Sequence, residues 1–283
     1  MSNSVDGNGF GYSLAGLVVG TAVGATGVGG GSLMTPILIL FYGVSPALAV
    51  GTDLLYASIS KSFGVLLHGR RGTLDWAIVG WLSAGSVPAA LLTLFLVDRA
   101  GGSTPELDRL IKFTLAGAVI VTALFTLFQD LLKSRLRLDR VRGELDPRTQ
   151  RALTVAAGVL IGAVVTISSV GAGVIGMMIL LLLYPRHSPI AIVGSDLAHA
   201  VLITAIAGAG HARMGTVDYE LLVWLLLGAL PGIWVGSRIG FRLDPATLKR
   251  AIAGILIVVG SMTLWKTLQT APPVVAAAAP VLR

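Results

Sequence analysis

The stretch GATGVGGGSLMTPILILFYGVSPALAVGTDLLYASISK, Gly24 to Lys61, decides how this chain is read. Five glycines, Gly24, Gly27, Gly29, Gly30 and Gly31, fall in the middle of an apolar segment, and a polar cluster follows inside a second one. A second version, VTISSVGAGVIGMMILLLLYPRHSPIAIVGSDLAHAVLIT, runs from Val165 to Thr204. Gly27-Val28-Gly29-Gly30-Gly31 aligns with Ser169-Val170-Gly171-Ala172-Gly173, Ser45-Pro46 with Ser188-Pro189, and Gly51-Thr52-Asp53 with Gly194-Ser195-Asp196. The register persists downstream: His68 with His211, Gly72-Thr73 with Gly215-Thr216, Asp75 with Asp218, Trp81 with Trp224, Pro88 with Pro231. So many correspondences in register mean an internal duplication, and each half is a structural unit.

Composition sets the class. The chain is 54% hydrophobic and 12% charged, with a mean hydropathy of +0.85. Long apolar runs with so little charge indicate a helical integral membrane protein. The runs are continuous rather than alternating, which excludes a β-barrel. The 36 glycines suit helices that pack closely through small residues. With no cysteine there is no disulfide framework and no thiolate metal site. The net charge of +7 sits in loops, so it is read as topology rather than as nucleic-acid binding. The opening MSNSVDGNGF lacks Lys and Arg and is not read as the n-region of a signal peptide.

The expected fold is an all-α integral membrane protein of two homologous repeats, each a broken or re-entrant segment plus three transmembrane helices. The first repeat covers 10–132, a basic cytoplasmic linker 133–151, the second repeat 152–269 and a low-complexity tail 270–283. Phe10 to Tyr42 as one helix would extend roughly 50 Å, beyond a ~30 Å hydrocarbon core. The Gly24–Gly31 run is expected to split it into two pieces, each too short to span. Irregular backbone at that depth survives only where it is buried in protein or lines a polar cavity. The remaining spans are read as Pro46–His68, Leu74–Val97 and Leu107–Leu132, then Pro189–Gly210, Tyr219–Gly240 and Thr247–Gln269, after a second broken segment, Ala152–Tyr184. Placing the linker, with Lys133, Arg135, Arg137, Arg140, Arg142, Arg148 and Arg151, in the cytoplasm puts Arg70-Arg71 and Arg186 inside as well, provided each broken segment is a hairpin. The loop after Tyr42 then lies outside, and an odd number of crossings makes the repeats inverted.

These residues resemble the sulfite exporter TauE/SafE family of membrane permeases. The likeness rests on Gly27-x-Gly29-Gly30-Gly31 followed by Pro36, on Ser45-Pro46-x-x-Ala49-Val50-Gly51-Thr52 and on Gly72-x-x-Asp75, and extends from about Leu14 to Leu264. In the second half Ser169 and Ala172 replace glycines, and Met178 stands where Pro36 does. The resemblance implies transport, commonly outward, of small sulfur oxyanions or organosulfonates such as sulfoacetate across the cytoplasmic (inner) membrane. An anion channel, or an importer of a related anion, is the alternative. An intramembrane enzyme is disfavoured, because no paired-carboxylate motif, no Ser–His–Asp arrangement that spacing supports and no metal spacing is found. No cofactor and no nucleic acid are expected. The expected partners are the anion, the bilayer, a coupling H⁺ or Na⁺ and, compatibly, a second copy in a homodimer.

Gly29, Gly30, Gly31, Gly171 and Gly173 let backbone approach a ligand, and a broken helix end offers free N–H groups to an anion. The alternative is tight helix packing. Ser32, Thr52, Ser168, Ser169 and Ser195 offer hydroxyls, unless they bond helix backbone. Asp53 and Asp196 occupy equivalent depths about two turns into their spans. They either couple H⁺ or Na⁺ or brace the broken helix of their own repeat. Lys61 is expected to hold the anion or to neutralise Asp196 across the pseudo-twofold. His199, three residues after Asp196, either relays protons with it or is hydrogen-bonded in the bundle. His68 and His211 are expected at the interface.

Overall fold

The computed structural model describes residues 9–26, 31–70, 72, 74–101, 104–135, 146–240 and 245–269. Within them lie α1 (Gly9–Thr26), α2 (Gly31–Phe41), α3 (Pro46–Arg70), α4 (Trp76–Arg99), α5 (Pro105–Arg135), α6 (Pro147–Ser168), α7 (Val174–Leu183), α8 (Pro189–Arg213), α9 (Tyr219–Gly240) and α10 (Pro245–Gln269). The described residues form no strand. By length and composition α4, α5, α6, α8 and α9 can cross a membrane, whereas α1 and α10 carry shorter apolar stretches. The 25-residue α3 holds Asp53 and Lys61 inside its length, so lipid would accept it only within a bundle.

Both broken segments return to the end they start from. In the second, Gln150 Nε2 near the start of α6 donates to the Leu183 carbonyl at the end of α7 (2.6 Å), and the Thr154 and Tyr184 hydroxyls meet at 2.9 Å. In the first, the Tyr42 hydroxyl donates to the Gly11 carbonyl (2.7 Å), and the Tyr12 and Tyr42 rings lie 4.8 Å apart. The expectation of two short pieces holds in the first segment and is corrected in the second. In the first segment both pieces are short, α1 carrying only a shorter apolar stretch and α2 having 11 residues; in the second segment only α7, with 10, is short. The 22-residue α6 is long enough to span, because it starts at Pro147 rather than Ala152. Pro147 has no N–H to leave unpaired at a helix start, and the Asp146 carboxylate caps the turn by accepting from Arg148 N and Thr149 N. The residues read as linker are therefore helical at both ends, Lys133–Arg135 closing α5 and Pro147–Arg151 opening α6. Arg137, Arg140 and Arg142, and the tail 270–283, lie outside the described residues.

The packing exchanges the halves. α1 lies along α9 and α6 along α4, which is the same contact with the repeats swapped; α3 packs on its equivalent α8, and α5 on α10. Gly51, Leu55 and Ser58 of α3 meet His211, Gly208 and Val201 of α8 in that order, so these two helices run antiparallel. Close approach is built with glycine at four-residue spacing. A Cβ on Gly16, Gly20 or Gly24 of α1 would strike the backbone of Leu225, Ala229 or Ile233 in α9. A Cβ on Gly228, Gly232 or Gly236 would likewise strike the backbone of Ser13, Leu17 or Thr21. Dispersion at such short range, with no side-chain entropy to lose, is what holds helices together where lipid removes the hydrophobic drive.

Gly20→Val forces backbone against backbone and should destabilise the protein by about 1–3 kcal/mol, read as a lower melting temperature in detergent. Gly117→Ala, where an added Cβ meets nothing within 4 Å, should leave the melting temperature unchanged.

Candidate functional site

Helix α3 places Asp53, Tyr56, Ser60 and Lys61 on one side of its length, at spacings of three, four and one. All four are buried, Asp53 fully and Lys61 at 4% exposure. The Asp53 Oδ2 oxygen accepts from Thr35 of α2 twice, from its N–H at 3.2 Å and from its hydroxyl. Asp53 thus braces the second piece of its own broken segment, one of the two roles expected of it. The Ser169 hydroxyl, in the break of the other repeat, faces the same carboxylate. Neither Ser169 Oγ nor Asp53 Oδ1 completes a hydrogen bond of ordinary geometry.

Lys61 reaches into that other break as well. Its Nζ donates to the Ala172 carbonyl at 2.8 Å, and its electrostatic neighbours are Asp196 first and Asp53 second. The backbone that receives it is shaped by glycine. Ser169 is left-handed at φ 58°, and Gly171 and Gly173 stand at φ 115° and 134°. Around Gly171 a Cβ would meet only ordinary contacts, so conformation rather than space requires glycine there. Gly173 starts α7 without a side-chain cap.

From α8, Asp196 points its Oδ1 at Gly176 in the first turn of α7, where any Cβ would collide with it. That oxygen is buried without a hydrogen-bond partner. One turn further, His199 Nε2 meets the Ser86 hydroxyl of α4 at 2.8 Å, while its Nδ1 has no partner. Six buried polar atoms of this cluster complete no hydrogen bond of ordinary geometry: Asp53 Oδ1, Tyr56 OH, Ser60 Oγ, Ser169 Oγ, Asp196 Oδ1 and His199 Nδ1. Of these the Ser169 hydroxyl faces Asp53 and the Ser60 hydroxyl faces Tyr56, which leaves Asp196 Oδ1 and His199 Nδ1 facing no such group. Buried polar groups are nearly always hydrogen-bonded, so such a concentration marks a place built to receive something polar.

Other expected site residues lie elsewhere. Thr52 Oγ1 accepts from Asp218 N at 3.0 Å, and Ser195 Oγ accepts from Asp75 N at 2.8 Å. These are one bond made twice, each tying a long helix to the loop that opens α4 or α9 in the other repeat. Asp75 caps α4, and Asp218 accepts from Leu221 N at the start of α9. Ser168 Oγ donates to the Val164 and Val170 carbonyls, finishing α6. His211, expected at the interface, lies in the last turn of α8 and is buried at 2% exposure, between Thr216 Oγ1 and the Thr166 carbonyl. Burial follows from the close approach of α8 to Gly51, which draws the His211 Cβ against that glycine. Gly29 and Gly30 lie outside the described residues; Gly31 opens α2, and the side chains of Ser32 and His68 are likewise not described.

Thr35, Tyr56, Ser86 and the Ala172 carbonyl join the cluster without having been singled out. Tyr56 had a signal, since it occupies the repeat position of His199, three residues after the aspartate. Thr35 adjoins Pro36 of the glycine-run motif. Ser86 and a backbone carbonyl carry no sequence mark.

The family model described as Sulfite exporter TauE/SafE matches residues 12–263. Among curated relatives, the "Probable membrane transporter protein YjnA" of Bacillus subtilis is 38% identical over 87% of this chain and 96% of its own. "Probable membrane transporter protein YdhB" of the same organism is 29% identical over 85% and 96%. A "Probable membrane transporter protein" of Xylella fastidiosa is 26% identical over 89% and 94%. No solved structure matches the chain.

Thr35→Val keeps the shape and the N–H but removes the hydroxyl that serves Asp53. It should cost about 1–3 kcal/mol, measured as a fall in melting temperature that Thr35→Ser largely restores.

Proposed function

The chain belongs to the sulfite exporter TauE/SafE family, and on that premise we propose that it is a secondary transporter exporting a small sulfur-containing anion, sulfite or an organosulfonate such as sulfoacetate, across the cytoplasmic membrane. The observation that carries this reading is the buried polar cluster between α3, α8 and the second break, in which Asp196 Oδ1 and His199 Nδ1 have no hydrogen-bond partner. The anion sits at the start of α7, where Gly173 provides an uncapped helix end and helix N–H groups favour negative charge. Lys61 supplies the one full positive charge at that depth and is anchored on the Ala172 carbonyl of the same break. Ser169 adds a hydroxyl. The two repeats are inverted in this reading. The antiparallel course of α3 and α8, and the swapped contacts of α1 with α9 and of α4 with α6, support it. Rocking one half against the other then opens the cluster to each side in turn.

Flux of labelled sulfite, sulfoacetate and sulfate in proteoliposomes tests the function. Saturable movement of the first two is expected; linear, non-saturating flux would favour a channel, and movement of none of them would overturn the reading. Lys61→Met should lower the apparent affinity at least tenfold, with partial rescue by Lys61→Arg. Unchanged flux would remove the lysine from the site.

Because the chain has no cysteine, single cysteines report topology directly. Val44→Cys and Arg186→Cys, in equivalent loops, should react with an impermeant maleimide from opposite faces of oriented vesicles. Reaction from one face would rule out inversion.

A further inference from the structure

We propose that the anion enters this site together with one proton, and that the proton goes to the carboxyl group of Asp196; this rests on the reading of the cluster as an anion site. The starting point is a charge count. Two carboxylates and one ammonium, Asp53, Asp196 and Lys61, sum to −1 (−2 + 1) if all are ionised, and all three are buried. An uncompensated charge in such surroundings costs several kcal/mol. One proton, kept by Asp53, brings the empty site to zero, with the Asp196 carboxylate opposite Lys61. A monoanion that occupies Lys61 takes that carboxylate's place and returns the total to −1. Uptake of a second proton from water on the open side restores neutrality.

Geometry assigns that proton to Asp196 rather than Asp53. Asp196 is the stronger electrostatic neighbour of Lys61, so it loses most when an anion claims the lysine. Its Oδ1 has no hydrogen-bond partner, whereas Asp53 Oδ2 accepts from both donors of Thr35. Most directly, Asp196 Oδ1 stands against Gly176 in the first turn of α7, where the anion is placed. Carboxylate and substrate compete for the same helix end, and a neutral carboxyl donates a hydrogen bond to the anion where a charged one repels it.

Few other titratable groups face Asp196. From α3 this is Lys61, beyond which lie Asp53 and Tyr56 on the same helix, and from its own helix His199, with His211 some four turns away. The packed faces of α4 between Trp76 and Val97, of α6 between Ala152 and Ser168, and all of α7 contain no ionisable residue. His199 is the competing acceptor, and its free Nδ1 is what the Asp196 variant tests against.

Methanesulfonate and ethanesulfonate are permanent monoanions that exchange no proton of their own near neutral pH. Each is titrated into the purified, unmodified protein in weak buffer with a pH indicator, in choline chloride and in sodium chloride. The expected result is removal of about one proton from solution per bound anion, and an affinity that tightens up to tenfold per unit of pH lowered, the same in both salts. In Asp196→Asn, Lys61 stands unopposed beside the protonated Asp53, so the anion itself brings the site to zero and should bind without proton uptake and without pH dependence. Binding of the unmodified protein with no proton uptake, or binding that requires sodium, overturns the proton proposal and leaves the anion reading standing. Proton uptake that survives in a folded Asp196→Asn protein overturns the assignment to Asp196. If neither sulfonate binds, the anion reading falls and this proposal with it. The measurement on the unmodified protein decides the stoichiometry even where the variant does not fold.

Discussion

Asp53, Lys61 and Asp196 are buried inside an otherwise apolar bundle, and the rest of the structure is arranged around making that tolerable. None of the three could remain charged in lipid alone. Bringing α3 onto its equivalent α8 sets Lys61 between the two carboxyl groups, and bringing the second break under α3 gives the ammonium a backbone carbonyl. The broken segment supplies it, because backbone outside the helical ladder leaves a carbonyl free to face the ammonium. The cluster and the break thus stabilise each other, and each would be a defect without the other.

What permits so close an assembly is the small-residue seam between the halves. Gly16, Gly20 and Gly24 face Gly228, Gly232 and Gly236 across α1 and α9, and Gly85 faces Gly158 and Gly162 across α4 and α6. Each seam joins the first helix of one repeat to the fourth of the other. The reciprocal Thr52–Asp218 and Ser195–Asp75 bonds do the same at the two ends of the bundle. A repeat separated from its partner would expose these seams and the unpaired loop N–H groups together, so the fold is the pair of repeats rather than either one.

The duplication has been used unequally. Lys61 has Thr204 as its counterpart, Tyr56 has His199, Thr35 has Met177 and Ser86 has Ala229. The scaffold bonds of Thr52 and Ser195 are kept in both halves, whereas the groups in the buried cluster differ between them. Lys61 serves the second break, and the second break supplies the Ser169 hydroxyl where the first has Gly27.

The sequence by itself determined the membrane class, the duplication, the hairpin character of each broken segment and the depth of the buried charges. All of these follow from local composition and from register, which do not depend on partners. Pro147 and Asp146 already mark where α6 begins, yet the basic run around them reads as solvent-facing loop until the helix is seen. Tertiary structure decided which polar groups meet. Thr52 and Ser195 look like ligands in a line of letters and turn out to be struts, because hydroxyl chemistry is the same in both roles and only the neighbour across the interface separates them. Lys61 meets Ala172 through a contact 111 residues away in sequence, set by helix packing that no local pattern encodes.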